Sequence, residues 1–173
     1  MHIAFVTAPG RGLIDDCLAE VTAHLQTCGV RLSGTVRALP VNHHAHPCDM
    51  DLRVLPDGSL YRISQSLGSG SKGCRLDSGM IETLAAEVEM RLPGTRLLVV
   101  NKFGKQESLG RGLRPSIAKA LDLGIPVLVG VNALNLPDFM AFTGGLATPL
   151  AATPAAILAW AREATATCEA VAV

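Results

Sequence analysis

Apolar residues along the chain fall into two kinds of block, and their alternation predicts the elements. The first kind is short and continuously apolar: "HIAFVT" near the start, "RLLVV" around Leu97 to Val100, and "IPVLVGV" around Val127 to Val131. Runs without alternation are typical of strands buried on both faces of a parallel sheet. The second kind repeats at helical spacing. Leu13, Cys17, Leu18, Val21, Leu25 and Cys28 recur before Gly29, and Ile81, Leu84, Ala85, Val88 and Leu92 recur before Pro93 and Gly94. Each set predicts one apolar face of a helix, the second capped by Asp77 or Ser78. Further helices are expected through "PSIAKALDLG", "LPDFMAF" and "TPAAILAWAREATATCEA", where Pro154 suits a first turn.

"VRLSGTVR" reads as another strand. "MDLRVL" and "SLYRIS" flank the turn formers Pro56, Asp57 and Gly58, which predicts a β-hairpin. Strands alternating with helices predict a three-layer α/β domain over 1–173, with a mainly parallel sheet and the hairpin as an antiparallel insertion. No linker or internal repeat interrupts it. In such sheets ligands bind beyond the carboxyl ends of the strands, where "TAPGRG", "GSGSKG" and "NKFGKQE" are expected to meet.

Composition narrows the functions this face can serve. In 173 residues, 15 basic and 15 acidic side chains cancel, so no global field recruits nucleic acid or an anionic membrane. Only 3% of residues are aromatic, which leaves few platforms for stacking bases. No apolar run is long enough to cross a bilayer, and the start lacks the basic flank and long apolar stretch of a secretory signal. The five cysteines include no C-x-x-C pair, which fits reduced thiols and a cytoplasmic location. Cys17 and Cys28 fall near one helix face, as small buried thiols do. "NHHAHPCD" gathers His43, His44, His46, Cys48 and Asp49 without any zinc spacing, and reads as a polar surface loop.

The remaining chemistry is cationic and glycine-rich. "TAPGRGLIDD" joins the first strand to the first helix, where unpaired amides favour anions, making Gly10, Arg11 and Gly12 candidate ligand-binding residues. A phosphate-binding loop of the form G-x-x-x-x-G-K-[ST] needs lysine and hydroxyl after its last glycine. Here Leu13 and Ile14 follow Gly12. In the second loop Gly70, Ser71, Lys72, Gly73 and Arg75 offer an anion nest with added charge. Asn101, Lys102 and Lys105 follow the buried strand, Gly104 keeps their turn tight, and Glu107 is the one nearby carboxylate able to orient water or to cap the next helix. Arg111 and Arg114 offer guanidinium forks beside the same loop.

Chain order, the first glycine loop and "NKFGK" resemble the small P-loop nucleoside-triphosphatases of the cancer-related NTPase type, in which an acidic segment ends the equivalent strand. A closer resemblance is carried by "CDMDLRVLPDG", "RISQSLGSGSKGCRLD", "LLVVNKFGKQESLGRGLR" and "GIPVLVGV". These are similar to a bacterial domain-of-unknown-function family associated with molybdate transport genes (DUF2478-like). The resemblance implies a P-loop NTPase-like fold whose phosphate-binding loop is degenerate, with Asn101 standing where a magnesium-linked aspartate would be. Three functions follow as expectations. The first is binding of a phosphate-bearing nucleotide or a tetrahedral oxyanion such as molybdate, in molybdenum uptake or its regulation. The second is a divergent nucleoside-triphosphatase or phosphotransferase with Lys102, Lys105 and Glu107 as catalytic residues. The third is a ligand-free interaction partner of molybdate transport components. No metal ligand set is assigned, and a homo-oligomer is a base-rate expectation.

Overall fold

A computed structural model describes residues 2–10, 12–38, 50–64 and 76–170. The elements in chain order are β1 (Ile3–Val6), α1 (Leu13–Thr27), β2 (Leu32–Arg37), β3 (Asp51–Val54), β4 (Leu60–Arg62), α2 (Ser78–Met90), β5 (Leu97–Phe103), α3 (Lys105–Ser108), α4 (Arg114–Asp122), β6 (Val127–Val131), α5 (Leu136–Thr143), β7 (Thr148–Leu150) and α6 (Pro154–Ala170). They build a seven-stranded sheet in the order β4-β3-β2-β5-β6-β1-β7. β2, β5, β6, β1 and β7 pair in parallel, and the β3–β4 hairpin adds to the β2 edge in antiparallel fashion.

The continuously apolar blocks take the positions their pattern predicts. Leu97 to Val100 are each 0% exposed, because helices cover both faces of β5. One face packs Leu98, Val100, Phe103, Val127 and Val129 against Ile81, Leu84 and Val88 of α2, Ile117 of α4 and Phe139 of α5. The other packs Leu97, Val99 and Leu128 against Ile14, Leu18, Val21 and Leu25 of α1 and Ile157 and Ala161 of α6. The helices thus segregate into two layers around one sheet.

Two expectations about α1 need correction. Leu13 is 56% exposed and Cys28 is exposed, while Ile14 and Asp15 are buried. The cause is where the helix starts. Gly12 is the N-cap at φ 89°, so Leu13 occupies the first turn facing outward and the buried stripe begins one residue later. Cys28 lies at the other end, as the C-cap, beyond the packed stripe. On α2, by contrast, Ile81, Leu84, Ala85 and Val88 are buried as their spacing predicts, and the Asp77 carboxylate accepts the Met80 N–H at 3.0 Å as the N-cap.

β5 is longer than its apolar run. It continues through Asn101 and Lys102 to Phe103, and the pairing with β6 slips on the way: Val100 faces Val129, but Phe103 faces Val131. Three residues of β5 therefore span what two residues of β6 span, which is a β-bulge. A bulge breaks the two-residue alternation and re-aims side chains. Leu98 and Val100 face the α2 layer, Leu97 and Val99 the α1 layer, and Phe103 returns to the α2 layer. Asn101 and Lys102 stand in the slip between them.

Candidate functional site

The carboxyl ends of β1, β5 and β6 open onto a cleft of about 260 Å³ lined by Ala8, Gly10, Gly12, Ile14, Asp15, Lys102 and Asn132. The topology explains its place. β1 is followed by the glycine turn and α1, and β6 lies between β1 and β5, so a side chain from the bulge of β5 must reach across to α1.

Asn101 and Lys102 make that reach. Asn101, 1% exposed, donates from Nδ2 to Asp15 Oδ1 at 2.9 Å and accepts the Arg37 backbone N–H at Oδ1 at 3.1 Å. Its own backbone N–H goes to the Thr35 hydroxyl. Lys102 Nζ lies 3.9 Å from Asp15 Oδ1, and Arg37 Nη1 lies 3.8 Å from Asp15 Oδ2. The hub of the arrangement is Asp15, a carboxylate only 4% exposed in the first turn of α1. Removing an ionised carboxylate from water costs several kcal/mol unless it is paired and hydrogen-bonded. The amide of Asn101 and the two cations supply that compensation.

Ile14 is the second residue after Gly12. Its side chain is buried against Gly130, where an added Cβ would meet Ile14 Cγ2 at 2.8 Å. Leu13, the first residue after Gly12, faces solvent.

Of the residues expected at the site, Gly10, Gly12 and Lys102 share this cleft, and Asn101 is joined to it through Asp15. Lys105 and Glu107 lie apart from it. Together with Asn101 and Lys102 they line a second, mostly apolar cavity of about 110 Å³ on the α2 side of β5, between Leu52, Ile63, Ile81, Leu84 and Leu113. Arg11, Gly70, Ser71, Lys72, Gly73 and Arg75 lie outside the described residues, as do Cys74, His43, His44, His46, Cys48 and Asp49. Among the described residues no cluster of His, Cys, Asp or Glu is placed to hold a metal. Arg114 lies over the Phe142 ring at 4.6 Å and donates to the Glu107 carbonyl.

Glu107 has a definite structural task. It is 5% exposed; Oε2 accepts the Gly104 N–H at 2.9 Å and Oε1 accepts the Leu113 N–H at 3.1 Å. It thereby ties the turn after β5 to the start of α4. Burial pushes its pKa up from the ordinary carboxylate value, opposed by the two N–H bonds and aided by the charge of Glu82. The folded state then binds this proton more tightly than the unfolded state. Its contribution is most favourable below the ordinary carboxylate pKa and declines as pH rises toward the raised folded value. Glu107→Gln is expected to flatten stability across that window while costing about 1–3 kcal/mol, since an amide cannot accept both N–H groups. Urea unfolding midpoints at several pH values check both effects; an unchanged pH slope would refute the assignment.

Sequence reasoning missed Asp15, Arg37 and Asn132. Asp15 and Asp16 both fall in the first turn of α1, where acidic residues are common. The available signal was that Asp15 stands next to Ile14 on the inward side of the helix once Gly12 is taken as the cap.

Comparisons with known proteins bear on the family and the fold. A family model described as "Protein of unknown function (DUF2478)" matches residues 3–160. The Molybdenum import ATP-binding protein ModC 2 of Bradyrhizobium diazoefficiens is 35% identical over 151 residues, which cover 87% of this chain but 17% of that protein. The crystal structure of THEP1 from the hyperthermophile Aquifex aeolicus superimposes with a TM-score of 0.61 at 16% identity, covering 89% of this chain and 91% of that one. The solution structure of a human cancer-related nucleoside triphosphatase gives a TM-score of 0.60 at 18% identity, covering 86% of this chain and 87% of that one. The fold is that of the P-loop nucleoside-triphosphatases. No helix among the described residues is long and apolar enough to cross a membrane.

Proposed function

The chain belongs to the DUF2478 family of proteins of unknown function, and from that premise we propose that it is a magnesium-independent binding module for a small oxyanion or the phosphate of a nucleotide. The observation that carries this reading is the placement of Lys102, which lines the strand-end cleft beside Gly10 and Gly12. The amides at the start of a helix have no intrahelical acceptor and favour an anion, and a fixed ammonium adds the charge that a metal would otherwise supply.

Hydrolysis is the weaker alternative. Phosphoryl transfer depends on a metal bridge, a loop lysine and a group that positions water. Ile14 and Leu13 replace the hydroxyl and the lysine, and the Glu107 oxygens are occupied by backbone N–H groups. Lys102 or Lys105 acting as a substitute lysine would still lack a metal-binding carboxylate: among the described residues of the cleft the carboxylate is Asp15, whose charge Arg37 and Lys102 offset.

A role in molybdenum uptake or its regulation, with transport components as partners, is suggested by the relative named as a molybdenum import ATP-binding protein. The matching stretch is 17% of that protein, which also favours a second reading, an accessory module that reports to or docks on a transport ATPase.

Thermal unfolding with phosphate, sulfate, molybdate, tungstate, ATP and GTP, each with and without Mg²⁺, tests the choice. A ligand that binds only the native state raises apparent stability by mass action, about 2.7 kcal/mol at a hundredfold excess over Kd. Stabilisation by at least one anion, unchanged by Mg²⁺, is expected. A nucleotide shift that requires Mg²⁺, accompanied by phosphate release, would refute the binding reading in favour of hydrolysis. No shift with any anion would favour the docking reading.

A further inference from the structure

The buried carboxylate in the cleft has an acceptor left over. Asp15 Oδ1 receives the Asn101 amide at 2.9 Å, but Oδ2 has no hydrogen-bond donor among the described residues; Arg37 Nη1 stands 3.8 Å away. The residue is 4% exposed and lines the cleft with Lys102, Gly10, Gly12 and Asn132. Oδ2 is therefore the carboxylate oxygen left open to a donor that arrives from the cleft.

The charges around Asp15 say what kind of donor. Arg37 from β2 and Lys102 from β5 face it within 4 Å, Asp16 on α1 is exposed, and Asn101 and Asn132 are neutral. Two cations this close disfavour a metal ion as the occupant and favour an anion. Yet an anion without a proton would set its oxygens against the lone pairs of a carboxylate. One ligand class satisfies both demands: an oxyanion that still carries a hydroxyl, accepting from Lys102 and the loop amides while donating to Asp15.

The geometry points to Asp15 as a selectivity residue that admits protonated phosphate and rejects fully deprotonated tetrahedral anions such as sulfate and molybdate. This rests on the anion-binding reading above and narrows its ligand class. The phosphate can come from free inorganic phosphate or from the end of a nucleotide, and the two sources separate by pH. Inorganic phosphate keeps a proton through the neutral range, whereas a phosphate monoester loses its last one near a pKa of about 6.

Calorimetric titration of the full chain with potassium phosphate, sodium sulfate and AMP at about pH 5.5 and about pH 8, and with molybdate at about pH 8, tests this. Phosphate is expected to bind at both pH values, at least roughly tenfold more tightly than sulfate or molybdate. AMP equal to phosphate at the lower pH and at least roughly tenfold weaker at the higher one would identify the ester as the source; AMP weak at both would identify the free ion. Asp15→Asn, a near-isosteric change whose amide can donate to a bare oxygen, is expected to reduce the phosphate preference to within about threefold. Sulfate matching phosphate on the unaltered chain would overturn the inference, with no variant needed, and would leave anion binding standing. A preference unchanged in Asp15→Asn would also overturn it. Absence of any anion binding by either chain would overturn the binding reading itself.

Discussion

Gly34→Ala is expected to cost roughly 4–5 kcal/mol and so to remove much of the stability of a fold whose total lies in the usual range of about 5–15 kcal/mol. Gly34 lies inside β2 at φ +110°, directly opposite Val99 of β5. A Cβ there would sit inside the Val99 carbonyl oxygen, 2.7 Å from its carbon and 2.8 Å from the Val99 nitrogen. These are backbone atoms of a fully buried central strand, so no side chain can swing away. Relief requires β2 and β5 to separate. That would disturb their parallel ladder and the bond from the Leu55 N–H to the Gly34 carbonyl.

The estimate adds about 1–3 kcal/mol for a non-glycine residue at this φ to a similar amount for overpacking. Gly29→Ala is the control. Gly29 also has a positive φ, +77°, but nothing lies within 4 Å of its would-be Cβ, so only the conformational cost of about 1–2 kcal/mol is expected. Urea unfolding of both variants checks the difference; equal midpoints would mean that the β2–β5 register is misplaced.

Much of this architecture is legible in the sequence, for reasons that separate local from non-local causes. Leu97 to Val100 and Val127 to Val131 announce buried parallel strands because helices on both faces demand apolar residues at every position. The α2 face and its Asp77 cap are equally local, resting on helical spacing and one side chain bonded three residues ahead. β7 is different. Thr148–Leu150 contains a proline and little apolar character, and it is a strand because β1 offers it an edge. α3 spans only Lys105–Ser108, too short for any periodicity, and depends on the buried Glu107 that caps it. The site follows the same division. The cationic turn after β5 can be read directly, but the bulge that aims it exists only in the pairing with β6. Asp15 meets Asn101 across 86 residues of sequence, and nothing near Asp15 in the chain signals that contact. The apolar pair Leu13 and Ile14 after Gly12 is visible in the sequence, whereas the buried carboxylate of Asp15 in the cleft needed the fold to reveal it.

Lys102→Ala is expected to weaken anion binding roughly ten- to a hundredfold and to abolish the anion-induced thermal shift at moderate ligand concentration. Counting the groups in contact, Asp15 contributes −1 and Arg37 and Lys102 contribute +1 each, leaving +1 with Lys102 and 0 without it. The ammonium is about one-third exposed, and without it Asp15 keeps the Asn101 amide and Arg37 as partners, so the variant should fold. Binding is the sensitive quantity, because an anion in the cleft would lose its charged donor while still facing the Asp15 carboxylate. Lys102→Arg should retain most of the affinity, since charge rather than shape is the first requirement. Lys105→Ala supplies the positional control. Lys105 lines the cavity on the α2 side of β5 and not the cleft beside Gly10 and Gly12, so its loss should change affinity by less than about threefold. The reverse ranking, with Lys105→Ala the more damaging, would move the site to the other face of β5. Equal tolerance of both changes would remove the strand-end lysines from the binding reading and leave docking as the function that the geometry supports.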